Sequence, residues 1–308
     1  MKLGALSPAE LTRQLACGSL RLRTGPFVTA VQSRLPELVR GLGALYASHD
    51  LEPESSFTDF VISVDRPDGL RHWIRPQVLF RFDGVAPFAP LPVNQGFALF
   101  EWGMNWCIYG NCHQYVTLHA AVLERGGRAL VLPAPSGSGK STLCAGLAFN
   151  GWRLLSDELT VIDPQRQLIL PVPRPISLKN ASIDVIREFV QGAILSDVVR
   201  DTTKGSVAHC KPDAEAVLRA GEPARPGWIV VPKYREGADA KLERMPKARA
   251  MMMAVDSTFN FNIHRRAGFE LLSYMVSRSE CYEFTYGRLE DAVAVFDALA
   301  GTAELPDA

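Results

Sequence analysis

The ten residues from Pro133 to Thr142, PAPSGSGKST, constrain this chain more than any other stretch. Small residues and glycines from Ser136 to Gly139 let the backbone turn so that successive N–H groups point at one bound anion, a path that large side chains obstruct. Lys140 then supplies a point charge for outer phosphates, and the Ser141 hydroxyl is placed to ligate Mg²⁺. A helix starting there, STLCAGLAFNG, aims the positive end of its dipole at the same anion. The segment departs from the pattern G-x-x-x-x-G-K-[ST] at its first position, where Ala134 stands for glycine. Pro135, Ser136, Gly137, Ser138, Gly139, Lys140, Ser141 and Thr142 are therefore expected to cradle a nucleoside triphosphate with magnesium.

The flanking sequence has the order that such a loop needs. Arg128 to Pro133 (RALVLP) is a short apolar run after Gly126-Gly127 and reads as a buried strand entering the loop. Beyond the helix, Asn150-Gly151 signals a turn, and Trp152 to Ile162 reads as an apolar strand interrupted by Asp157 and Glu158. A desolvated carboxylate needs a metal, a cation or hydrogen bonds, so the acidic pair is expected at a strand end facing the loop. Asp157 follows Lys140 by 17 residues, about one helix and a turn, which would bring the second strand back beside the first. Successive strand residues face opposite ways, so one acid could accept a proton from a substrate hydroxyl while the other orders the metal or its waters. The alternative is a pair of solvated loop acids.

The segment LHAAVLERGGRALVLPAPSGSGKSTLCAGLAFNGWRLLSDELTVID resembles the core of the HPr kinase/phosphorylase family, and more closely the HPr-kinase-related kinases. The resemblance is specific over about residues 113 to 180 and diffuse from there to about 290. It implies an α/β P-loop kinase core of the type shared with phosphoenolpyruvate carboxykinases, with ATP and Mg²⁺ as cofactors. It also implies an aspartate that activates a serine hydroxyl of a protein or peptide for attack on the γ-phosphate. Carried onto this chain, Asp157 matches the catalytic aspartate, Glu158 stands where a second aspartate is usual, and His119 matches the histidine ahead of the hairpin. Thr142 occupies a position that is often glutamate, and no phosphorylase signature is found, so a kinase alone is expected. Hexamers occur in that family, which leaves a homo-oligomer open. A small-molecule kinase or an ATPase without a protein acceptor is the alternative.

Weaker candidates lie elsewhere. PVPRPISLKN (171–180) is a rigid proline-rich loop whose Arg174 and Lys179 could clamp phosphate, unless it is a solvated surface loop. TTKGSVAHCKP (202–212), with Lys204, reads as a mobile substrate or nucleotide loop. In 257–275 the Phe residues read as core and the arginines as a solvated face, while Leu289 to Leu299 has the spacing of a packing helix. Residues 1–112 carry no chemical motif. Val28 to Tyr46 has helical periodicity, Phe57 to Val64 and His72 to Phe82 alternate like strands, and Phe97 to Tyr109 reads as an aromatic-rich helix.

These readings give a mixed α/β N-terminal domain over 1–112, for substrate recognition or assembly, and a catalytic domain over 113–308. A chain of 308 residues with 47% hydrophobic content has room for two such cores. Equal numbers of basic and acidic residues, 33 each, argue against a nucleic-acid partner, and no apolar run has membrane length. The N-terminus lacks the apolar core of a signal peptide, and six scattered cysteines suit free thiols, so a cytoplasmic location is expected. Cys107, Cys112 and His113 lack the spacing of a zinc site.

Overall fold

A computed structural model describes residues 1–67, 76–135 and 137–301. The chain gathers into two units, both mixed α/β. One comprises Met1–Cys112, Val172–Ile183 and Ala193–Gly221, and the other His113–Pro171, Asp184–Gly192 and Glu222–Ala308. Two segments of the C-terminal half thus belong with the N-terminal unit.

In the first unit, β1 (Leu20–Thr24), β2 (Phe27–Gln32), β3 (Phe60–Asp65), β4 (Gln77–Phe82) and β5 (Leu91–Pro92) form one sheet in chain order. β2 and β3 are parallel, and the other neighbours are antiparallel. Helices α1 (Pro8–Cys17), α2 (Pro36–Leu45) and α3 (Gly96–Asn111) belong to the same unit. α1 starts where Ser7 accepts the Glu10 N–H at 3.2 Å with proline at the first helical position, a pairing that satisfies one orphan donor. α3 approaches β4 at Gly103, where an added Cβ would lie 2.1 Å from the Phe80 ring. A second sheet has the order β12 (Ile176–Lys179), β14 (Gly205–Cys210), β13 (Val199–Thr202), and α6 (Ala214–Leu218) follows it.

Two sequence expectations change here. Val28 to Tyr46 is strand β2 followed by α2, because Pro36 sets a helix start inside the apolar run. Residues 202–212 are a hairpin turn and strand rather than a loop, with buried Val207, Ala208 and Cys210 fixing β14 in its sheet. Of His72 to Phe82, residues 72–75 lie outside the described residues, and β4 accounts for the rest from Gln77.

The second unit is built on a six-stranded sheet of order β16 (Lys241–Arg244), β17 (Glu280–Tyr286), β15 (Arg225–Tyr234), β8 (Arg128–Pro133), β7 (Ala120–Arg125), β9 (Arg153–Ser156). β15 runs parallel to both β17 and β8, whereas β7 is antiparallel to β8 and β9. A small antiparallel sheet joins β11 (Leu168–Leu170), β10 (Thr160–Asp163) and β6 (Val116–Leu118). One face of β7 and β8, including Ala120, Val122, Ala129 and Val131, packs with residues of α7 (Lys247–Asp256) and α8 (Phe261–Arg278). α4 (Lys140–Ala148) and α9 (Leu289–Gly301) contact each other, and Phe296 of α9 meets Trp152 and Phe284 edge-on. The boundary between units falls within α5 (Ala181–Phe189).

Trp152 to Ile162 is not one interrupted strand. The chain leaves the six-stranded sheet after Ser156 and enters the small sheet at Thr160, so Asp157 and Glu158 occupy the crossing. Nor does β9 return beside β8. It pairs with β7, which fills the place next to the loop strand, and so runs parallel to β8 one strand removed. The expectation of core phenylalanines over 257–275 also fails in part: Phe259 and Phe269 are exposed, and Phe261 is partly buried.

Candidate functional site

β8 ends at Pro133 and α4 begins at Lys140, with Gly139 as its N-cap. Gly137 and Gly139 have φ of 86° and 87°, a left-handed conformation that glycine adopts without strain. Their alternation with Ser138 gives the concave backbone of an anion nest. The first bond into α4 runs from the Leu143 N–H to the Gly139 carbonyl at 2.9 Å, so the Lys140, Ser141 and Thr142 N–H groups belong to the donor-rich first turn. Two strand ends brace this loop. The Tyr286 hydroxyl donates to the Gly139 carbonyl at 2.9 Å, and the Tyr234 N–H donates to the Ser138 carbonyl at 2.9 Å. Ser138 Oγ is buried and has no hydrogen-bond partner among the described residues. Ser136 lies outside the described residues.

Asp157 follows the last residue of β9 and is 4% exposed, and Lys140 is 7% exposed. The Ser141 hydroxyl donates to Asp157 Oδ2 at 3.2 Å, which joins the loop to the acidic crossing. Cys144, one turn further along α4, is buried and hydrogen-bonded to Asp157. Burial pushes its thiol well above the ordinary range, the Asp157 charge pushes it further, and the Lys140 charge opposes both. Serine, lysine, thiol and carboxylate therefore share one buried neighbourhood. Glu158 is half-buried beside it. His119 is exposed at the bend between β6 and β7, with its N–H on the Ser257 carbonyl at 2.7 Å and its ring 5.7 Å from that of Phe259. Ala120 pairs with Pro133 and Val122 with Ser156, so His119, the loop and the acidic pair lie at one end of the sheet.

The remaining candidates belong to the other unit. Arg174 is buried in an ion pair with Glu101 at 3.5 Å and also donates to Asn105, while Tyr46 donates to the same Glu101 at 2.7 Å. Its guanidinium is engaged by the core of its own unit. Lys179 ends β12, with its N–H on Ser182 Oγ at 2.7 Å. Lys204 sits in the β13–β14 turn with its ammonium 5.3 Å from the Trp102 ring centre, within cation–π range. Sequence reasoning missed Tyr234, Tyr286 and Cys144. The aromatic ends of β15 and β17 were the available signal for the tyrosines, but only strand pairing brings them to the glycines.

Among the described residues no group of three or more His, Cys, Asp or Glu side chains could hold a metal ion by itself. Ser141 and Asp157 offer oxygen donors of the kind a hard cation takes, and Mg²⁺ commonly completes its shell with substrate phosphates and water. The buried Ser138 hydroxyl and the first-turn amides suit phosphate oxygens. Among the described residues no helix is long and apolar enough to cross a membrane.

No protein-family model matches the chain. No curated protein matches it either. Among solved structures it is similar to the Hpr(Ser) kinase/phosphatase from Coxiella burnetii, at 12% identity and a TM-score of 0.26, over 61% of this chain and 99% of that one. A likeness this slight carries no weight for the site, which rests on its own geometry.

Proposed function

We propose that the protein is an ATP-dependent kinase that transfers the γ-phosphate to a serine hydroxyl of a protein or peptide. The observation that carries this reading is the 3.2 Å bond between Ser141, at the start of α4, and the buried Asp157 beyond it. It couples an anion-binding loop to a carboxylate, the two parts that phosphoryl transfer to a hydroxyl requires. The sequence resemblance to HPr-kinase-related kinases supports the same class.

In this reading the backbone from Pro135 to Thr142 holds the triphosphate, and Lys140 neutralises charge that develops on the transferred group. Mg²⁺, held by Ser141 with Glu158, would supply further charge neutralisation on the phosphates. The acceptor oxygen attacks the γ-phosphorus as the bond to the β–γ bridging oxygen breaks, and the hydroxyl proton passes to Asp157. The products are a phosphoserine and ADP. His119, exposed at the same end of the sheet, contacts the acceptor. The unit containing residues 1–112 recognises the acceptor or builds a homo-oligomer. Because Val172–Ile183 and Ala193–Gly221 pack with it, surface substitutions test this role better than truncation. Its exposed Phe57 and Val85 are suitable positions, and serine at both leaving acceptor KM and molecular mass unchanged would count against them.

The direct test is transfer from γ-labelled ATP with Mg²⁺ to HPr, to peptides and to a panel of small alcohols, with Asp157→Asn as control. Label on a protein or peptide serine that disappears in the variant is the expected result. Label confined to a small alcohol would reassign the acceptor, and hydrolysis without any acceptor would reassign the protein to the ATPases.

A further inference from the structure

We propose that Tyr234 is the stacking platform for the nucleoside base of the triphosphate. The inference rests on the nucleotide reading of the glycine loop and deepens it by assigning the flank on which the base lies.

The loop has two unlike flanks. In the six-stranded sheet β8 stands between β7 and β15. Toward β7 and β9 lie Asp157, Glu158 and His119, the groups able to exchange a proton with an acceptor. Toward β15 and β17 the strands end in Tyr234 and Tyr286. A triphosphate has one reactive end. With its γ-phosphate turned toward Asp157 for in-line transfer, its α-phosphate and nucleoside leave on the opposite flank.

Tyr234 is built into that flank. Its N–H holds the Ser138 carbonyl at 2.9 Å, and a Cβ added to Gly139 would fall 2.8 Å from the Tyr234 Cβ. The tyrosine is thus fixed against Ser138 and Gly139, two of the three residues that shape the nest. Its ring leans on Tyr286, with centroids 5.6 Å apart at 67°, and Tyr286 stacks on Phe284 at 5.4 Å and 8°. Phe284 and Tyr286 are each 1% exposed, whereas Tyr234 is 48% exposed. Its ring is therefore anchored by a buried aromatic row, while about half of the residue stays in water beside the anion nest. A base offers a π-face that stacks on such a ring without hydrogen-bond readout.

The test compares two ligands that share phosphates and differ in the base. Dissociation constants for ATP and for inorganic tripolyphosphate, each with Mg²⁺, are measured by calorimetry on the full chain and its Tyr234→Ala and Tyr234→Phe variants. Tyr234→Ala should weaken ATP about tenfold or more, the loss expected for one stacked base, and leave tripolyphosphate within about twofold. Tyr234→Phe keeps the ring and the main-chain bond and should bind both ligands as the parent does. Equal weakening of both ligands, or no weakening of ATP, overturns this inference while parent binding stands. Failure of the parent to bind either ligand overturns the nucleotide reading and this inference with it.

Discussion

Glu124, in β7, and Asp157, just past the end of β9, are carboxylates each 4% exposed, and their surroundings differ sharply. Glu124 accepts the Arg153 Nε–H at 2.5 Å and the Gly127 N–H at 2.6 Å, and Arg153 also donates to the Glu222 carbonyl at 3.0 Å. This is a buried ion pair of two neighbouring strands, satisfied by the protein's own groups. Asp157, four residues after Arg153, instead meets a serine hydroxyl and a thiol, with the Lys140 charge nearby. Those are groups that a phosphate or a cation can also engage. Depth of burial therefore does not separate a structural carboxylate from a chemical one; the partners do.

The largest effect should come from the chemical member. Asp157→Asn keeps the shape and is expected to lower phosphate transfer by about 10²- to 10⁴-fold, the usual contribution of a positioned base, with ATP affinity nearly unchanged. Lys140→Ala should lose both binding and transfer. Single-turnover transfer and equilibrium nucleotide titration separate the two variants, and equal transfer by Asp157→Asn and the parent would remove Asp157 from the mechanism.

The structural member should fail differently. Glu124→Ala leaves Arg153 buried without its carboxylate, which should cost about 3–5 kcal/mol of stability in denaturant unfolding. ATP affinity of the molecules that remain folded should hold. A stable variant with impaired ATP binding would invert the comparison between the two acids.

The other unit offers a buried group of the structural kind. Burial lowers the His49 pKa from 6.5 to about 4, against the opposing hydrogen bond of its Nε2 with the Pro173 carbonyl at 2.8 Å. With the folded value below the unfolded one, stability from neutral His49 is complete above pH 6.5 and is lost as pH falls toward 4. The full loss is about 3 kcal/mol by linkage, and unfolding curves of parent and His49→Gln between pH 7 and 4 should converge in their acid dependence if it is absent.

The smallest effect concerns thiols. Cys17 is exposed, and its hydrogen bonds with Ser19 lower its pKa, so its thiolate fraction at neutral pH is raised. Cys144 is held protonated by burial and by Asp157. Mass spectrometry after brief alkylation at pH 7.5 should find label on Cys17 and none on Cys144, and early label on Cys144 would show that the acidic neighbourhood opens.

Much of the candidate site could be read from the chain because its signals are local. RALVLP is strand β8 within its expected bounds, and the glycines with Lys140 lead into α4 as their pattern requires. The acidic pair was legible as an interruption of an apolar run, since two adjacent carboxylates do not fit a buried strand. Its true setting was not, because Leu154, Leu155, Val161 and Ile162 are equally apolar and equally buried although they belong to two sheets. Val28 to Tyr46 misled for a related reason: the apolar spacing continues through β2 into α2, and burial on both sides of β2 erases its alternation. Exposed Phe259 and Phe269 show the converse, that aromatic identity alone does not place a residue inside.

By itself the sequence determined the strand, the glycine turn and the helix behind it, because glycine conformational freedom, a lysine and a helix start act over a few residues. It also supplied a carboxylate pair one helix further on. Only the tertiary structure decided that β7 separates β8 from β9, that Ser141 meets Asp157, and that Arg174 pairs with Glu101. It also decided which tyrosines brace the loop, since Tyr234 and Tyr286 reach Ser138 and Gly139 across about 100 and 150 residues of chain through parallel strand pairing. The physical reason is that backbone preferences are set by neighbours in sequence, whereas the partners that give a buried charge its role are chosen by strand order and packing.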